Sequence, residues 1–266
     1  MVDAIFLGDS WIDDFWNTHK TWATLVSESE NWSHVNLSKA GTTTQDVLHT
    51  LSLVKNINVS SNTHWVLHTG GNDLLYWVIK HPSYVTYDIW RREKHFFKSK
   101  GKDIALQISR IVEYIISHFG ATKITITSNT ACYGIPLCRA FGIFYTPFTT
   151  KQHMDMITSE VNIALLKVIQ DMQHLYPHVH FSFYNECKAC TIHHKKLFWK
   201  WDLFHPKEQS HSTLATSFLQ DIKIPLHEHM SYFTTIRDST RIPSYFFSFT
   251  FSYVFLLFAS SFFLKI

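Results

Sequence analysis

The fold is decided by the stretch Ala4-Ile5-Phe6-Leu7-Gly8-Asp9-Ser10. Four consecutive apolar residues that lead into a glycine predict a buried strand that ends in a turn. Other short runs along the chain read in the same way. Strands are therefore predicted over residues 3–8, 33–38, 64–69, 123–128 and 178–184.

Apolar residues at helical spacing lie between these strands. The stretches 104–119 and 157–175 repeat with the three- and four-residue spacing of a buried helix face. Gly120 ends the first of these helices and Pro177 follows the second. Because parallel neighbours need crossover connections, the alternation predicts an α/β domain with a parallel five-stranded sheet and helices on both faces.

The composition indicates one domain and excludes some partners. The chain has 266 residues, 45% of them hydrophobic, which is enough for one large buried core. A formal net charge of +3 creates no strong basic field, so we expect no nucleic acid partner. The charged segment over residues 80–103 lacks clean periodicity and is predicted to be a solvated insertion, with a role in covering the site or touching anionic headgroups as an alternative.

The start of the chain and its cysteines bear on the compartment. The first residues lack the basic start, long apolar core and cleavage site of a secretory signal, which predicts a catalytic domain in the cytosol. Four cysteines are too few for a disulfide scaffold, although Cys132 and Cys138 could bridge one loop in an oxidising compartment.

One cysteine pair has the spacing of a metal knuckle. Cys187 and Cys190 are followed by His193 and His194. A structural zinc site usually combines two such halves, and the sequence shows no second half, so we expect no metal. The preferred interpretation is a polar loop with ordinary thiols, and disulfide formation by Cys187 or Cys190 stays open.

The far end of the chain changes character. Residues 1–225 are predicted to form the catalytic domain and 226–244 a linker, while 245–264 contain no charge and are long enough to cross a bilayer. A C-terminal membrane anchor is one interpretation of this tail. The alternation of Phe with Ser or Thr over 247–252 favours a strand instead, and a misread gene end is a third interpretation.

Ser10 has two separated partners that would make it a nucleophile. A serine hydroxyl needs a base to take its proton and a group that orients that base. His205 in the run Trp201-Asp202-Leu203-Phe204-His205-Pro206 is the candidate base. Asp202, three residues earlier, is the candidate that orients the imidazole and selects its tautomer.

Three groups are candidates for an oxyanion hole. Functional groups gather at the carboxyl ends of parallel strands, so the turns after the first three strands should meet at one edge of the sheet. There the backbone N–H groups of Ser10 and Gly41 and the side-chain amide of Asn72 could bind a developing oxyanion. Ordinary turn chemistry is the alternative for both Gly41 and Asn72.

Four sequence blocks together resemble the GDSL-type SGNH hydrolases, in their lipase and acylhydrolase branch. These blocks are Phe6-Leu7-Gly8-Asp9-Ser10, Ala40-Gly41-Thr42-Thr43-Thr44, Gly70-Gly71-Asn72-Asp73-Leu74 and Asp202-x-x-His205-Pro206. The resemblance covers residues 5–219. It implies a three-layer flavodoxin-like SGNH hydrolase fold and ester hydrolysis through an acyl-serine, with no metal or organic cofactor.

The resemblance also implies residue roles. Ser10 would be the nucleophile, His205 the base and Asp202 its orienting group, with Gly41 and Asn72 as oxyanion donors. The chain departs from the usual pattern at Trp11, where a leucine normally follows the nucleophile, and we expect this bulky residue to reshape the acyl pocket.

The substrate class stays open at this stage. A small-molecule or lipid ester fits the predicted chemistry, with lipid, short-chain and acetylated-sugar esters as alternatives. A catalytically silent module that binds a lipid or a protein is the alternative from another class, but retention of Ser10, Asp202 and His205 disfavours it.

Overall fold

The computed structural model describes residues 1–53, 57–80, 94–129, 150–193, 199–200 and 205–239. A five-stranded sheet forms its centre, with all strands parallel and in the spatial order β2-β1-β3-β4-β5. The strands are β1 (Val2–Gly8), β2 (His34–Asn36), β3 (Val59–His68), β4 (Lys123–Thr127) and β5 (His180–Tyr184). All five predicted strands are confirmed, although β3 begins five residues before its predicted start at 64.

Helices connect the strands. Those in the described residues are α1 (Asp14–Asn17), α2 (Trp22–Ser29), α3 (Thr44–Leu53), α4 (Gly71–Lys80), α5 (Lys94–Phe119), α6 (Thr150–Leu175), α7 (Glu186–Ile192), α8 (Glu208–Asp221) and α9 (Leu226–Ser239). The two long predicted helices are confirmed as parts of α5 and α6. Gly120 ends α5 with a φ of +62°, a conformation that glycine adopts without strain.

The sheet is buried on both faces, which gives the predicted three layers. On one face, Ile5, Leu7 and Trp65 contribute to a core that includes residues of α3, α5, α6 and α9. On the other face, Phe6 and Val66 belong to a second core with residues of α2, α7 and α8. Side chains alternate between the two faces of a strand, so the continuous apolar runs of the sequence supply both cores.

The prediction of a solvated insertion over 80–103 is wrong for 94–103, because α5 already begins at Lys94. Gly101 explains why the helical pattern was hidden. A Cβ at this position would lie 2.8 Å from the Cα of Val161, so α5 and α6 approach each other through a bare backbone instead of an apolar side chain. Residues 81–93 lie outside the described part of the chain.

The prediction of a linker over 226–244 is wrong for 226–239, which form α9. His229 and Phe233, one helical turn apart, are both buried, and the Phe233 ring lies 6.4 Å from that of Phe183 on β5. This helix therefore belongs to the same domain as the sheet, whose predicted end at 225 is too early. A buried stripe that includes a histidine in a largely polar segment explains why the pattern was missed.

The predicted tail over 245–264 lies outside the described residues. Within the described ranges, no helix combines the length and the apolar character needed to cross a membrane.

Candidate active site

The loop that carries Ser10 follows the last residue of β1. Gly8 pairs with His68 of β3, and a Cβ on Gly8 would collide with the carbonyl oxygen of His68. Only glycine therefore allows β1 and β3 to stay paired up to the loop. The carboxylate of Asp9 then accepts the backbone N–H of Trp11 at 3.1 Å, which closes the turn around Ser10.

The structure brings Ser10 and His205 into contact, although they are 195 residues apart in the sequence. Ser10 Oγ lies 2.7 Å from His205 Nε2. An antiparallel bridge between Trp199 and Pro206 and a backbone hydrogen bond from Lys200 N–H to the His205 carbonyl hold the base of the His205 loop. The pair has the spacing that a general base needs to take a hydroxyl proton.

Asp202, the predicted orienting group of His205, lies outside the described residues. Its role stays a prediction from the sequence.

The loops that carry Gly41 and Asn72 are hydrogen-bonded to the Ser10 loop. The Lys39 N–H and the Thr42 hydroxyl both donate to the carbonyl oxygen of Gly8, at 3.0 and 2.7 Å. The Asn72 side-chain amide in turn donates to the Thr42 carbonyl at 2.9 Å. The three turns therefore meet at the carboxyl edge of the sheet, as the topology predicts.

Turn chemistry is present at both predicted oxyanion donors. Gly41 has a φ of +80°, which favours glycine there whatever its catalytic role. Asn72 uses one amide hydrogen to bind Thr42, and an amide carries two. Asn72 therefore keeps a second amide hydrogen, and its local hydrogen bond is compatible with oxyanion binding.

Asn17 is a site residue that the sequence analysis missed. Its buried side chain donates to the carbonyl oxygens of Ser10 at 2.7 Å and of Asp13 at 2.9 Å. Its Oδ1 accepts from Lys200 Nζ at 2.7 Å. Asn17 therefore joins the nucleophile loop to the loop that carries His205. No motif marks it, because its partners are seven residues before it and 183 after it.

A buried charged cluster lies beneath the nucleophile loop. The His68 imidazole stands between two carboxylates, with Nε2 2.7 Å from Glu186 Oε2 and Nδ1 3.2 Å from Asp9 Oδ1. All three residues are buried, and the Trp11 ring stacks on the imidazole at 6.1 Å. Trp11 thus packs in the core beneath the loop, and the expected role in reshaping an acyl pocket is not seen.

The two carboxylates decide the charge of His68. Burial alone would lower the pKa of its imidazole, but the charges of Glu186 and Asp9 outweigh this effect and raise the pKa well above its ordinary value. His68 is therefore charged at neutral pH. No sequence motif singles out His68, and the one available signal is its position at the carboxyl end of a predicted strand.

His211 shows the opposite behaviour. It is buried, and its Nδ1 accepts the backbone N–H of Trp22 at 3.1 Å. Burial, followed by the nearby His19, lowers the pKa of His211 to about 3. It is therefore a neutral core histidine that joins α8 to α2.

The proposed metal knuckle falls partly within the described residues. Cys187 and Cys190 are buried in α7, so the interpretation of this stretch as a polar loop is wrong. His193 lies at the C-terminal end of the same helix, and His194 is outside the described residues. Within the described ranges, no group of three or more histidine, cysteine or acidic side chains could hold a metal ion.

A cavity of about 900 Å³ lies at the opposite edge of the sheet. Its lining includes His64, Lys123 and His180, which lie near the amino ends of their paired strand segments. Burial, followed by the charges of Lys123 and His180, lowers the pKa of His64 to about 4. The cavity is remote from Ser10, which follows the carboxyl end of β1.

Two solved structures are similar to this chain. The lipase Lip_vut3 from a goat rumen metagenome has a TM-score of 0.57 and 14% sequence identity, covering 85% of this chain and 100% of the lipase. Phospholipase A1 from Streptomyces albidoflavus has a TM-score of 0.51 and 15% identity, covering 86% of this chain and 100% of the phospholipase. No family model matches the sequence, and no curated protein matches it.

The sheet order, the layers and these similarities define the class of fold. It is a three-layer α/β fold around an all-parallel five-stranded sheet, which the chain shares with this lipase and this phospholipase. The resemblance that the sequence motifs predict is therefore confirmed at the level of the fold.

Proposed function

We propose that the protein is a serine esterase that hydrolyses carboxylic esters through an acyl-serine intermediate. The observation that carries this proposal is the 2.7 Å contact between Ser10 Oγ and His205 Nε2 at the carboxyl edge of a parallel sheet. The similarity in fold to a lipase and a phospholipase supports the same reaction class.

In the acylation step, Ser10 Oγ attacks the ester carbonyl carbon while His205 Nε2 accepts the hydroxyl proton. The carbonyl oxygen becomes an oxyanion, which the Ser10 N–H, the Gly41 N–H and the Asn72 amide stabilise. When the ester C–O bond breaks, His205 returns the proton to the leaving alcohol. The acyl group then remains on Ser10.

Deacylation repeats these steps with water as the nucleophile. His205 takes a proton from a water molecule that attacks the acyl carbon, and it then returns the proton to Ser10 Oγ as the acid leaves. Asp202 is proposed to hold the imidazole in the tautomer that both steps require. The mechanism uses protein groups and water, with no metal or organic cofactor as a reagent.

Among the candidate substrates, an ester with an apolar part is favoured over an acetylated sugar. Phe15 and Trp16, which follow the nucleophile loop, are 94% and 52% exposed. Exposed aromatic side chains beside a catalytic pair match apolar substrate surface. The two similar structures, a lipase and a phospholipase, agree with this choice.

The proposal is tested by covalent labelling with a fluorophosphonate, which reacts with activated serines. We expect the folded wild-type protein to be labelled and to hydrolyse p-nitrophenyl esters, and Ser10→Ala to do neither. Ser128, a buried serine at the end of β4, provides the matched control, because Ser128→Ala should keep both activities. Absence of labelling of the folded wild type would favour the silent binding module instead.

A further inference from the structure

The short helix α1 presents its aromatic residues outward and its acidic residues inward. Asp13 accepts the backbone N–H groups of Trp16 at 3.1 Å and Ala40 at 2.8 Å. The Asp14 carboxylate accepts three hydrogen bonds, from the Thr21 N–H, the Thr24 hydroxyl and the Asn36 amide. The carboxylates next to the nucleophile are thus engaged within the protein, and the exposed surface of α1 is left to Phe15 and Trp16.

Trp16 lies beside the catalytic base. Its ring centroid is 6.2 Å from that of the His205 imidazole, with 58° between the ring planes. Phe15, the preceding residue, is 94% exposed. Because Asp13 caps α1 through the backbone of Trp16, and Asn17 bonds to the Ser10 carbonyl, Trp16 is held in position relative to Ser10.

The proposed mechanism assigns a direction to this surface. The leaving oxygen must take its proton from His205 Nε2, so the alcohol part of the ester departs on the His205 side. The carbonyl oxygen points instead toward Gly41 and Asn72. A side chain next to His205 therefore contacts the alcohol part, whereas the acyl chain extends elsewhere.

We propose that Trp16 binds the alcohol part of the substrate and selects esters of apolar or aromatic alcohols. This inference rests on the proposed esterase activity and names the substrate class for that site. Trp16 is thereby a specificity-determining residue.

The test is a series of linear acetates, such as ethyl, butyl and hexyl acetate, that differ only in the alcohol. All of them give the same acetyl-enzyme, so a change along the series reports on acylation alone. Each methylene of the alcohol that becomes fully buried should raise kcat/KM about fourfold. A surface that covers only one side of the alcohol chain should raise kcat/KM about twofold per methylene. We expect wild-type kcat/KM to rise roughly 16-fold from ethyl to hexyl acetate.

In Trp16→Ala the increase in kcat/KM from ethyl to hexyl acetate should fall below about threefold. Trp16→Phe should keep most of the wild-type increase. The matched control is Leu175→Ala. Leu175 is 68% exposed at the end of α6, near the amino edge of the sheet and away from Ser10, so its loss should leave the rise unchanged. The capping bond to the Trp16 backbone does not need the side chain, so thermal unfolding of Trp16→Ala should match that of the wild type.

A second series of esters distinguishes a failure of this inference from a failure of the proposed esterase activity. Ethyl esters of longer acids vary only the acyl chain, and their dependence on length should be the same in wild type and Trp16→Ala. A rise with alcohol length that persists in Trp16→Ala, or a loss that appears in the acyl series instead, overturns the inference. If Ser10→Ala hydrolyses the acetates as fast as the wild type, the esterase proposal itself fails.

Discussion

Substitution of His68 by glutamine tests whether a charged imidazole holds the two carboxylates beneath the nucleophile loop. The cluster contains a cation between Asp9 and Glu186, and all three side chains are buried. Removing one partner of such a buried pair typically costs about 3–5 kcal/mol, because an uncompensated charge is left in the core. In His68→Gln two carboxylates lose their shared cation. We therefore expect the free energy of unfolding to fall by at least about 3 kcal/mol near neutral pH.

The pH dependence of this loss identifies its cause. The pKa of His68 is raised in the folded protein above the ordinary value of 6.5. The His68 charge therefore makes its full contribution to the free energy of unfolding below about pH 6.5. This contribution is lost as the pH rises through the folded-state pKa. Between these values the stability difference between wild type and His68→Gln should shrink by up to about 1.4 kcal/mol per pH unit.

His211→Gln is the matched control, because it removes a buried histidine whose pKa shift has the opposite sign. The pKa of His211 is lowered to about 3 in the fold. Its neutral form therefore contributes stability above pH 6.5, and this contribution is lost as the pH falls toward 3. The stability difference between wild type and His211→Gln should shrink in acid and stay constant in alkali.

The assay is urea unfolding of the three proteins between pH 5 and pH 9, followed by tryptophan fluorescence. The difference in unfolding free energy from the wild type should be largest at the acid end for His68→Gln and at the alkaline end for His211→Gln. A stability difference for His68→Gln that stays constant from pH 6.5 to 9 would refute the charged-cluster argument, because a neutral histidine contributes no such slope.

Four further substitutions test the catalytic edge of the sheet. Ser10→Ala or His205→Ala should each reduce ester turnover on the order of 10⁶-fold. The double variant should be no less active than either single variant, since the pair acts as one unit. Steady-state kinetics measures these losses, and additive losses in the double variant would contradict the prediction. Asn72→Ala should lower kcat roughly 10²- to 10³-fold with little change in KM, as expected for an oxyanion donor; a change confined to KM would count against that role. Asn17→Ala, which leaves the Ser10 carbonyl without its donor, should cost about 1–3 kcal/mol of stability and lower kcat; normal kcat in a destabilised protein would limit Asn17 to a structural role.

The strands and the catalytic pair could be predicted because their signals are local. Each strand is a short apolar run that ends in a turn, and Ser10 and His205 each lie in a recognisable block of residues. A parallel sheet then places strand ends at one edge without further information. The structure adds the geometry of the predicted pair, a 2.7 Å contact across 195 residues.

The supporting residues could not be predicted, because their roles arise only from contacts between distant segments. His68 and Glu186 are 118 residues apart, and each follows an apolar strand that gives no hint of a charge partner. Helix α9 was missed for a related reason. Its buried stripe includes His229, which ordinary hydropathy counts as polar, yet that imidazole lies 5.2 Å from the Phe183 ring.

The support beneath Ser10 explains why its hydroxyl is directed at His205. Asn17 binds the Ser10 carbonyl from one side, and Asp9 closes the turn at Trp11 while its carboxylate faces His68 from below. The backbone around Ser10 is therefore held by hydrogen bonds at two points, and Ser10 Oγ lies 2.7 Å from His205 Nε2. Little reorganisation is then needed to reach the attacking geometry, which is the condition under which preorganised groups lower an activation barrier.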